Sequence, residues 1–191
     1  MPVSRRTLLP ALLGAIAGIP RLASAADDVI TRASPYSPLP KPESEPARRS
    51  LRIGESLIDL SVEGREFMVS PDYFADWVTD CADIVTRYYG EFPIPSVDVR
   101  IRGARGNRVL TGQAMPTTNG AVVNVLVGLS ASEQTLARDW VMIHELIHLA
   151  FPSVHRRHQW LTEGLSTYVE SIARAQAGAL TTDQVWLGFL D

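Results

Sequence analysis

The sequence predicts an α+β domain in which strands and one helix come first and a run of helices follows. Up to residue 127, short β-branched segments alternate with turn residues, a pattern typical of strands. Beyond that point the apolar residues recur three and four positions apart, which indicates amphipathic helices. The chain has 191 residues, 46% hydrophobic and 20% charged, which is the composition of a single globular domain.

Residues 1–25 have the layout of a secretory signal peptide. Arg5 and Arg6 precede an apolar run from Leu8 to Ile19, and the small-residue site Ala23-Ser24-Ala25 follows. The apolar run has about 12 residues and a bilayer needs roughly 20, so a retained membrane anchor is the less favoured alternative. The paired arginines resemble a bacterial twin-arginine signal, so both the Sec and the twin-arginine export routes stay open.

Charge and cysteine content exclude several kinds of partner and cross-link. Cleavage after Ala25 would remove three of the 18 basic residues and none of the 21 acidic ones, which changes the net charge from −3 to about −6. Nucleic acid and anionic membranes both need a basic face, so neither is expected as a partner. The single cysteine, Cys81, cannot form an internal disulfide and is expected to be a small buried side chain.

Residues 26–50 are predicted to be a Pro-rich linker, and residues 51–191 the folded domain. Five prolines lie among Ser, Glu and Arg in the linker, which favours extended and poorly packed chain.

Strands surround one long helix in the first half of the predicted domain. Residues 53–62 and 97–101 have the β-branched or alternating pattern of strands, whereas residues 103–112 are rich in Gly and Arg and predict a loop. Ser70-Pro71-Asp72 is a favourable helix start between the strands. The run from Ala121 to Val127 predicts a further strand, either inside the sheet or at its edge beside a substrate cleft.

Three helices are predicted in the second half. Ser130 to Glu133 fits a capping box, which opens a helix that runs to about Ala150, before Phe151-Pro152. A second helix is expected from Gln159 to Ala177, and Thr182-Asp183 is the expected start of a third.

The most informative stretch is WVMIHELIHLAF at residues 140–151. His144 and His148 are four positions apart, so on a helix they lie one turn apart on the same face and can bind one metal ion. Glu145 points slightly off that face, where it can hydrogen-bond a water at the metal without binding the metal itself. H-E-x-x-H on a helix is the zinc-binding pattern of metalloproteases.

The alternative for this stretch is a helix that buries two histidines by chance. With 4 His and 10 Glu in the chain, chance alone would give an H-E-x-x-H pattern roughly 0.004 times. Two imidazoles and a carboxylate in apolar surroundings are also costly unless something satisfies them. A metal site therefore explains the stretch better than a polar core.

Two histidines do not complete a catalytic zinc site, which usually has three protein ligands and one open position. The candidates downstream are His155, His158, Glu163 and Glu170. His155 does not have the spacing that a third histidine needs in the extended H-E-x-x-H patterns. Glu163 is better placed, because it lies early in the next predicted helix, which the loop at residues 151–158 would allow to pack back antiparallel.

For the remaining candidates, simpler interpretations are favoured. His155 and His158 lie in a polar loop with two arginines and are expected to be solvated. Glu170 could orient a histidine from behind, or be an ordinary surface carboxylate, and Thr167 has a comparable supporting position.

Together, the two stretches resemble the gluzincin zinc metallopeptidases. His144-Glu145-Leu146-Ile147-His148, followed by residues 160–166 with the sequence WLTEGLS, is most similar to the M1 aminopeptidase and M61 glycyl aminopeptidase groups, whose second motif reads W-[LF]-x-E-G-F-[AST]. The resemblance implies a thermolysin-like zincin catalytic domain, in which a small mixed sheet is followed by the two motif helices. It also implies that His144, His148 and Glu163 hold Zn²⁺ and that Glu145 is the general base.

Three features of this sequence depart from that family. Only 14 residues separate His148 from Glu163, which is fewer than is typical, so the connecting loop is short. The G-A-M-E-N motif, with which aminopeptidases bind a substrate's amino terminus, is absent, and Gly112 to Pro116 lies in a comparable place without a glutamate. The family's transition-state tyrosine lies well beyond the glutamate helix, whereas this sequence ends at Asp191 and Tyr168 is too near Glu163 to be that residue. The sequence is therefore expected to be a truncated or a minimal form of the domain at residues 51–191. These departures concern turnover more than metal binding.

These residues predict an exported zinc metallopeptidase, periplasmic or secreted, that acts on a peptide or protein substrate. The alternative is a non-catalytic zinc-containing binding or assembly module of the cell envelope. An intact Glu145 favours the peptidase, because a purely structural zinc site has no need of a base, whereas the missing aminopeptidase motif favours the module. A zinc hydrolase acting on cell-envelope amides is a third possibility.

Overall fold

The computed structural model describes residues 45–64 and 66–190. The predicted signal peptide, residues 1–25, and most of the predicted linker lie outside the described residues. Within the described ranges, every helix is too short or too polar to cross a membrane.

The structure is of the α+β class, as predicted, and its centre is a five-stranded mixed sheet. The strand order is β1-β2-β3-β5-β4. β2 runs parallel to β3, and β3 runs parallel to β5, whereas β1 and β4 are antiparallel to their neighbours. The strands are β1 (Ala47–Ile53), β2 (Ser56–Glu63), β3 (Ser96–Ala104), β4 (Val109–Thr117) and β5 (Gly120–Gly128).

The loop predicted for residues 103–112 is confirmed only at residues 105–108. The rest of that segment is the end of β3 and the start of β4, and β4 is an edge strand of the sheet. β4 lacks a strand pattern because Gly112, Ala114 and Pro116 stand where β-branched residues would mark a strand. An edge position tolerates the proline, since an edge strand has a ladder on one side only. Of the two possibilities for residues 121–127, the structure places them inside the sheet, between β3 and β4.

The sheet also begins earlier than expected. β1 starts at Ala47, inside the last four residues of the predicted linker. Arg48, Arg49 and Ser50 are exposed on this edge strand, so the segment carries no apolar pattern that would reveal a strand.

The first helix, α1 (Pro71–Tyr89), has the ends that the sequence predicts. The Ser70 side chain accepts a hydrogen bond from the Tyr73 N–H, and Gly90 ends the helix in the left-handed conformation with φ of 87°. The face of α1 that includes Phe74, Val78 and Val85 is fully buried against the sheet.

Instead of the single helix predicted for residues 130–150, the chain forms two. These are α2 (Glu133–Ala137) and α3 (Val141–His148). The Asp139 carboxylate accepts a hydrogen bond from the Val141 N–H at 2.8 Å, which caps a new helix and explains the break at residues 138–140. Because Met142, Leu146 and Ile147 are fully buried, α3 is fixed in the core next to the sheet.

Two more helices follow α3 in the described part of the chain. A short 3₁₀ turn at residues 156–158 leads into α4 (Gln159–Gln176), and α5 (Thr182–Gly188) follows with a capping box at Thr181 and Gln184. The inward face of α4 carries the buried Ser166, Val169, Glu170 and Ala173, whereas its Trp160, Leu165 and Tyr168 are exposed. The polar side chains of Ser166 and Glu170 therefore lie on the inward face of α4.

The turn between β4 and β5 depends on a glycine. Gly120 has φ of 148°, and a Cβ built there would lie 2.3 Å from the carbonyl oxygen of Ser96 on β3. We expect Gly120→Ala to lower the free energy of unfolding by about 2 kcal/mol, because both the conformation and the space oppose a side chain. Urea unfolding measures this change.

The matched control is Gly188→Ala, the same chemical change at a helical position where a Cβ meets nothing within 4 Å. This variant should unfold within about 0.5 kcal/mol of the wild type. Equal urea midpoints for the two variants would contradict the described turn.

Candidate metal centre

The two motif histidines lie one turn apart on α3, as expected from their spacing. His144 is 6% exposed and His148 is half-buried. The two imidazole rings meet edge to face, with centroids 4.7 Å apart. The apolar face of α3 holds the helix in the core, so the histidines project from a fixed backbone.

Glu163 reaches the histidines from α4, which packs against α3. Its Oε2 atom lies 3.3 Å from His144 Nε2 and 3.4 Å from His148 Nε2. The two Nε2 atoms are themselves 3.1 Å apart. Three potential ligand atoms from two helices therefore converge on one point.

This triangle has the dimensions of a zinc site. Two ligands bound to zinc at 2.0–2.1 Å with a tetrahedral angle lie about 3.4 Å from each other. The three observed separations, 3.1, 3.3 and 3.4 Å, are close to that value. Two imidazole nitrogens and one carboxylate oxygen also form a donor set that zinc accepts, and they leave a fourth position open. The residues present fit a Zn²⁺ ion.

The surroundings of His144 favour the form of the imidazole that binds metal. Burial lowers the pKa of His144 below its usual range, and the neighbouring His148 lowers it further, while the Glu163 carboxylate opposes both effects. The net direction favours neutral imidazole, and only an imidazole nitrogen without a proton can coordinate a metal ion.

Glu145 lies beside the triangle and is not part of it. The side chain is 7% exposed and faces β4, where the Ala114 backbone N–H donates a hydrogen bond to the carboxylate. Burial raises the pKa of Glu145 to about 7, and the Glu163 carboxylate adds to the rise, whereas the Ala114 N–H opposes it. A carboxyl group with a pKa near neutrality suits general acid–base chemistry at neutral pH.

Ser166, to which the sequence assigned no role, contacts the His148 ring on the side away from the ligand triangle. A hydrogen bond of 3.0 Å joins Ser166 Oγ to His148 Nδ1, and the serine is fully buried. When Nε2 faces a metal ion, Nδ1 carries the proton and donates to this hydroxyl, which fixes the orientation of the ring. The sequence feature that could have identified Ser166 is its spacing, because a residue three positions after Glu163 lies on the same face of the helix.

Glu170 does not orient a histidine, and it is not on the surface. It is 4% exposed and pairs with Arg174, whose Nη1 donates to Glu170 Oε1 at 2.7 Å. Arg174 Nη2 also donates to the Arg138 carbonyl oxygen at 3.0 Å, which links α4 to the segment between α2 and α3. The pair therefore ties α4 to the segment that leads into α3.

The other candidates lie outside the triangle. The Thr167 hydroxyl donates to the Glu163 carbonyl oxygen at 2.9 Å and so bonds only within its own helix. His155 and His158 are exposed, which agrees with their interpretation as solvated loop residues. Tyr168 is 53% exposed and stacks on Phe189, with centroids 5.7 Å apart.

Among solved structures, M1 zinc metallopeptidases are neighbours of this chain. One from Deinococcus radiodurans is 17% identical and aligns with 71% of this chain and 30% of its own, with a TM-score of 0.40. A mutant form of an M1 zinc metallopeptidase from that organism is 16% identical and aligns with 71% of this chain and 30% of its own, with a TM-score of 0.40. A two-domain M1 zinc metallopeptidase mutant bound to L-arginine is 15% identical and aligns with 72% of this chain and 30% of its own, with a TM-score of 0.40. The chain spans less than a third of the length of these neighbours.

No protein-family model and no curated protein matches the sequence. The function of the chain is therefore inferred from the geometry of the site itself.

Metal binding tests the triangle directly. We expect the wild type to bind one zinc per chain, and His148→Ala or Glu163→Gln to lose it, because each variant removes one of three ligands. Ser166→Ala should keep the stoichiometry but weaken affinity about 10- to 100-fold, since the ligand atom stays and only its orientation is lost. Elemental analysis and chelator competition measure the two quantities.

His155→Ala is the control, because this exposed histidine lies outside the triangle. Zinc retained at full affinity in His148→Ala would contradict the site.

The pKa of Glu145 predicts how stability depends on pH in metal-free protein. Its ordinary pKa is 4.5, and the folded value is about 7, so between these values the folded chain binds more protons than the unfolded chain. The free energy of unfolding should therefore fall as pH rises from about 4.5 to 7. Glu145→Gln removes this contribution, so the variant should gain stability relative to wild type across that range.

Urea unfolding in chelator at pH 5 and pH 7.5 measures the difference. Burial also raises the pKa of Asp139, to about 6, but this group contributes equally to both proteins and cancels. If the difference in unfolding free energy between wild type and Glu145→Gln is the same at both pH values, the pKa of Glu145 is not raised in the folded protein.

Proposed function

We propose that this chain is an exported zinc-dependent peptidase, in which His144, His148 and Glu163 hold the metal and Glu145 is the general base. The observation that carries the proposal is the combination of a zinc-sized ligand triangle with a buried carboxylate beside it. A purely structural site would need only the triangle. The substrate class proposed is a peptide or protein.

The chemistry divides between the metal and the chain. Bound zinc would supply a Lewis acid that activates water and polarises the scissile carbonyl. Glu145 accepts the proton of the attacking water and delivers it to the leaving amine. Its place on α3, directly after the ligand His144, keeps the carboxylate near the open position without occupying it.

β4 is the element that supports a peptide substrate. It is an edge strand, so the backbone groups on its side away from β5, apart from the Ala114 N–H that donates to Glu145, could pair with an extended chain. Ala114 and Gly112 on this strand lie against Glu145, so a peptide along β4 would pass close to the base. β5 does not suit this role, because its two neighbours in the sheet occupy both of its edges.

Export is part of the proposal and follows from residues 1–25 alone. Expression of the full chain in a bacterium and mass spectrometry of the exported protein would test it. A mature chain that begins at Ala26 supports export with cleavage, and an intact Met1 in the cytoplasm overturns it.

Glu145→Gln tests the catalytic role. We expect the variant to keep zinc at full stoichiometry and to cleave a peptide library about 10²- to 10⁴-fold more slowly, because it loses only proton transfer. Glu91→Gln, an exposed carboxylate elsewhere in the chain, is the control and should cleave at the wild-type rate.

The result also separates the two classes of function. Stoichiometric zinc with no turnover by the wild type on any peptide would exclude the peptidase and favour a zinc-containing binding module. Equal rates for wild type and Glu145→Gln would leave the activity in place but remove Glu145 as its base.

A further inference from the structure

We propose that Gly112 is a positioning residue for Glu145, because the space that a side chain would fill at this place in β4 is occupied by the glutamate. The inference rests on the proposed function, in which Glu145 is the general base, and names a second residue on which that role depends.

The first observation is the close approach between the Gly112 backbone and the Glu145 side chain. A Cβ built on Gly112 would lie 2.4 Å from Glu145 Cγ, 2.8 Å from Cδ and 2.7 Å from Oε1. These separations are all shorter than the 3.0 Å that real Cβ contacts essentially never fall below. The three nearest atoms all belong to Glu145, and none belongs to a metal ligand.

The backbone conformation does not explain the glycine. The glycines with positive φ are Gly54, Gly90, Gly106, Gly120 and Gly178, and Gly112 is not among them. Gly112 lies within β4, in extended backbone that any residue can adopt. Space for Glu145 is therefore the physical reason for a residue without a side chain at this position.

Ala114 gives the carboxylate a second contact on the same strand. Its backbone N–H donates to the Glu145 carboxylate, and an edge strand leaves such a donor available. A free glutamate side chain has three rotatable bonds and many orientations. Close packing against Gly112 and a hydrogen bond from the Ala114 N–H restrict the orientation of the Glu145 side chain. β4 thus orients the Glu145 carboxylate, in addition to its proposed role in binding a peptide.

The test is Gly112→Ala, with two measurements. In metal-free protein, the amide proton of Ala114 should move upfield in the nuclear magnetic resonance spectrum, because the added methyl group displaces the carboxylate that accepts its hydrogen bond. In zinc-loaded protein, the zinc content should stay at one per chain while kcat falls about 10²-fold, as expected for a misplaced catalytic group. KM should change much less than kcat, since the metal and the strand backbone remain.

Two controls make the result specific. Gly188→Ala adds the same methyl group where nothing lies within 4 Å, and it should leave both measurements unchanged. Glu145→Ala in otherwise wild-type protein removes the acceptor itself, so it gives the Ala114 amide position expected when the contact is lost. If Gly112→Ala does not fold, as judged by circular dichroism, Glu145→Ala still decides whether the Ala114 contact exists.

An Ala114 amide that does not move in Gly112→Ala or in Glu145→Ala overturns the proposal, as does full kcat in Gly112→Ala. Failure of the proposed function is a separate outcome. If zinc-loaded wild type cleaves no peptide, the peptidase fails, but the Ala114 amide still reports whether Gly112 sets the position of Glu145.

Discussion

The structure depends on the convergence of three ligand atoms from two helices within 3.4 Å of one another. Lone pairs on two imidazole nitrogens and a carboxylate oxygen repel at this distance unless a proton or a cation lies between them. Burial disfavours the charged, doubly protonated form of His144, and the neutral ring that remains is the form that can coordinate a metal ion. The packing of α3 and α4 must therefore hold these atoms together, and the remaining contacts explain how it does so.

Each of the two helices has its own anchor. On α3, Met142, Leu146 and Ile147 are fully buried in the core, so the histidine side of the helix is fixed by apolar packing on the other side. α4 buries Val169 in the same core and adds a buried polar contact, in which Arg174 pairs with Glu170 and donates to the Arg138 carbonyl oxygen. Such a pair is directional, so it sets the position of α4 along its axis as well as its distance from α3.

The helices and the sheet contribute different parts of the site. α3 and α4 supply the ligands, and Ser166 on α4 fixes the His148 ring through its far nitrogen. β4 supplies the surroundings of Glu145, through the Gly112 backbone and the Ala114 N–H. The proposed base is therefore controlled by an element that contributes no metal ligand, which would allow its position to be tuned without disturbing the metal.

Local sequence determined the elements whose signal lies within a few residues. The spacing of His144 and His148, the cap at Ser70 and the α+β order of elements are all set by helix or strand periodicity, and each is found as predicted. Glu163 could also be named in advance, because its place early in α4 follows from the loop before it. What only the tertiary structure decided has a different cause. β4 is a strand because it pairs with β5, and α3 begins at Val141 because the Asp139 carboxylate accepts a hydrogen bond from the Val141 N–H. Ser166 and Gly112 are important because Ser166 contacts His148 and Gly112 lies against Glu145. Those contacts join residues distant in the chain, and local periodicity carries no information about them.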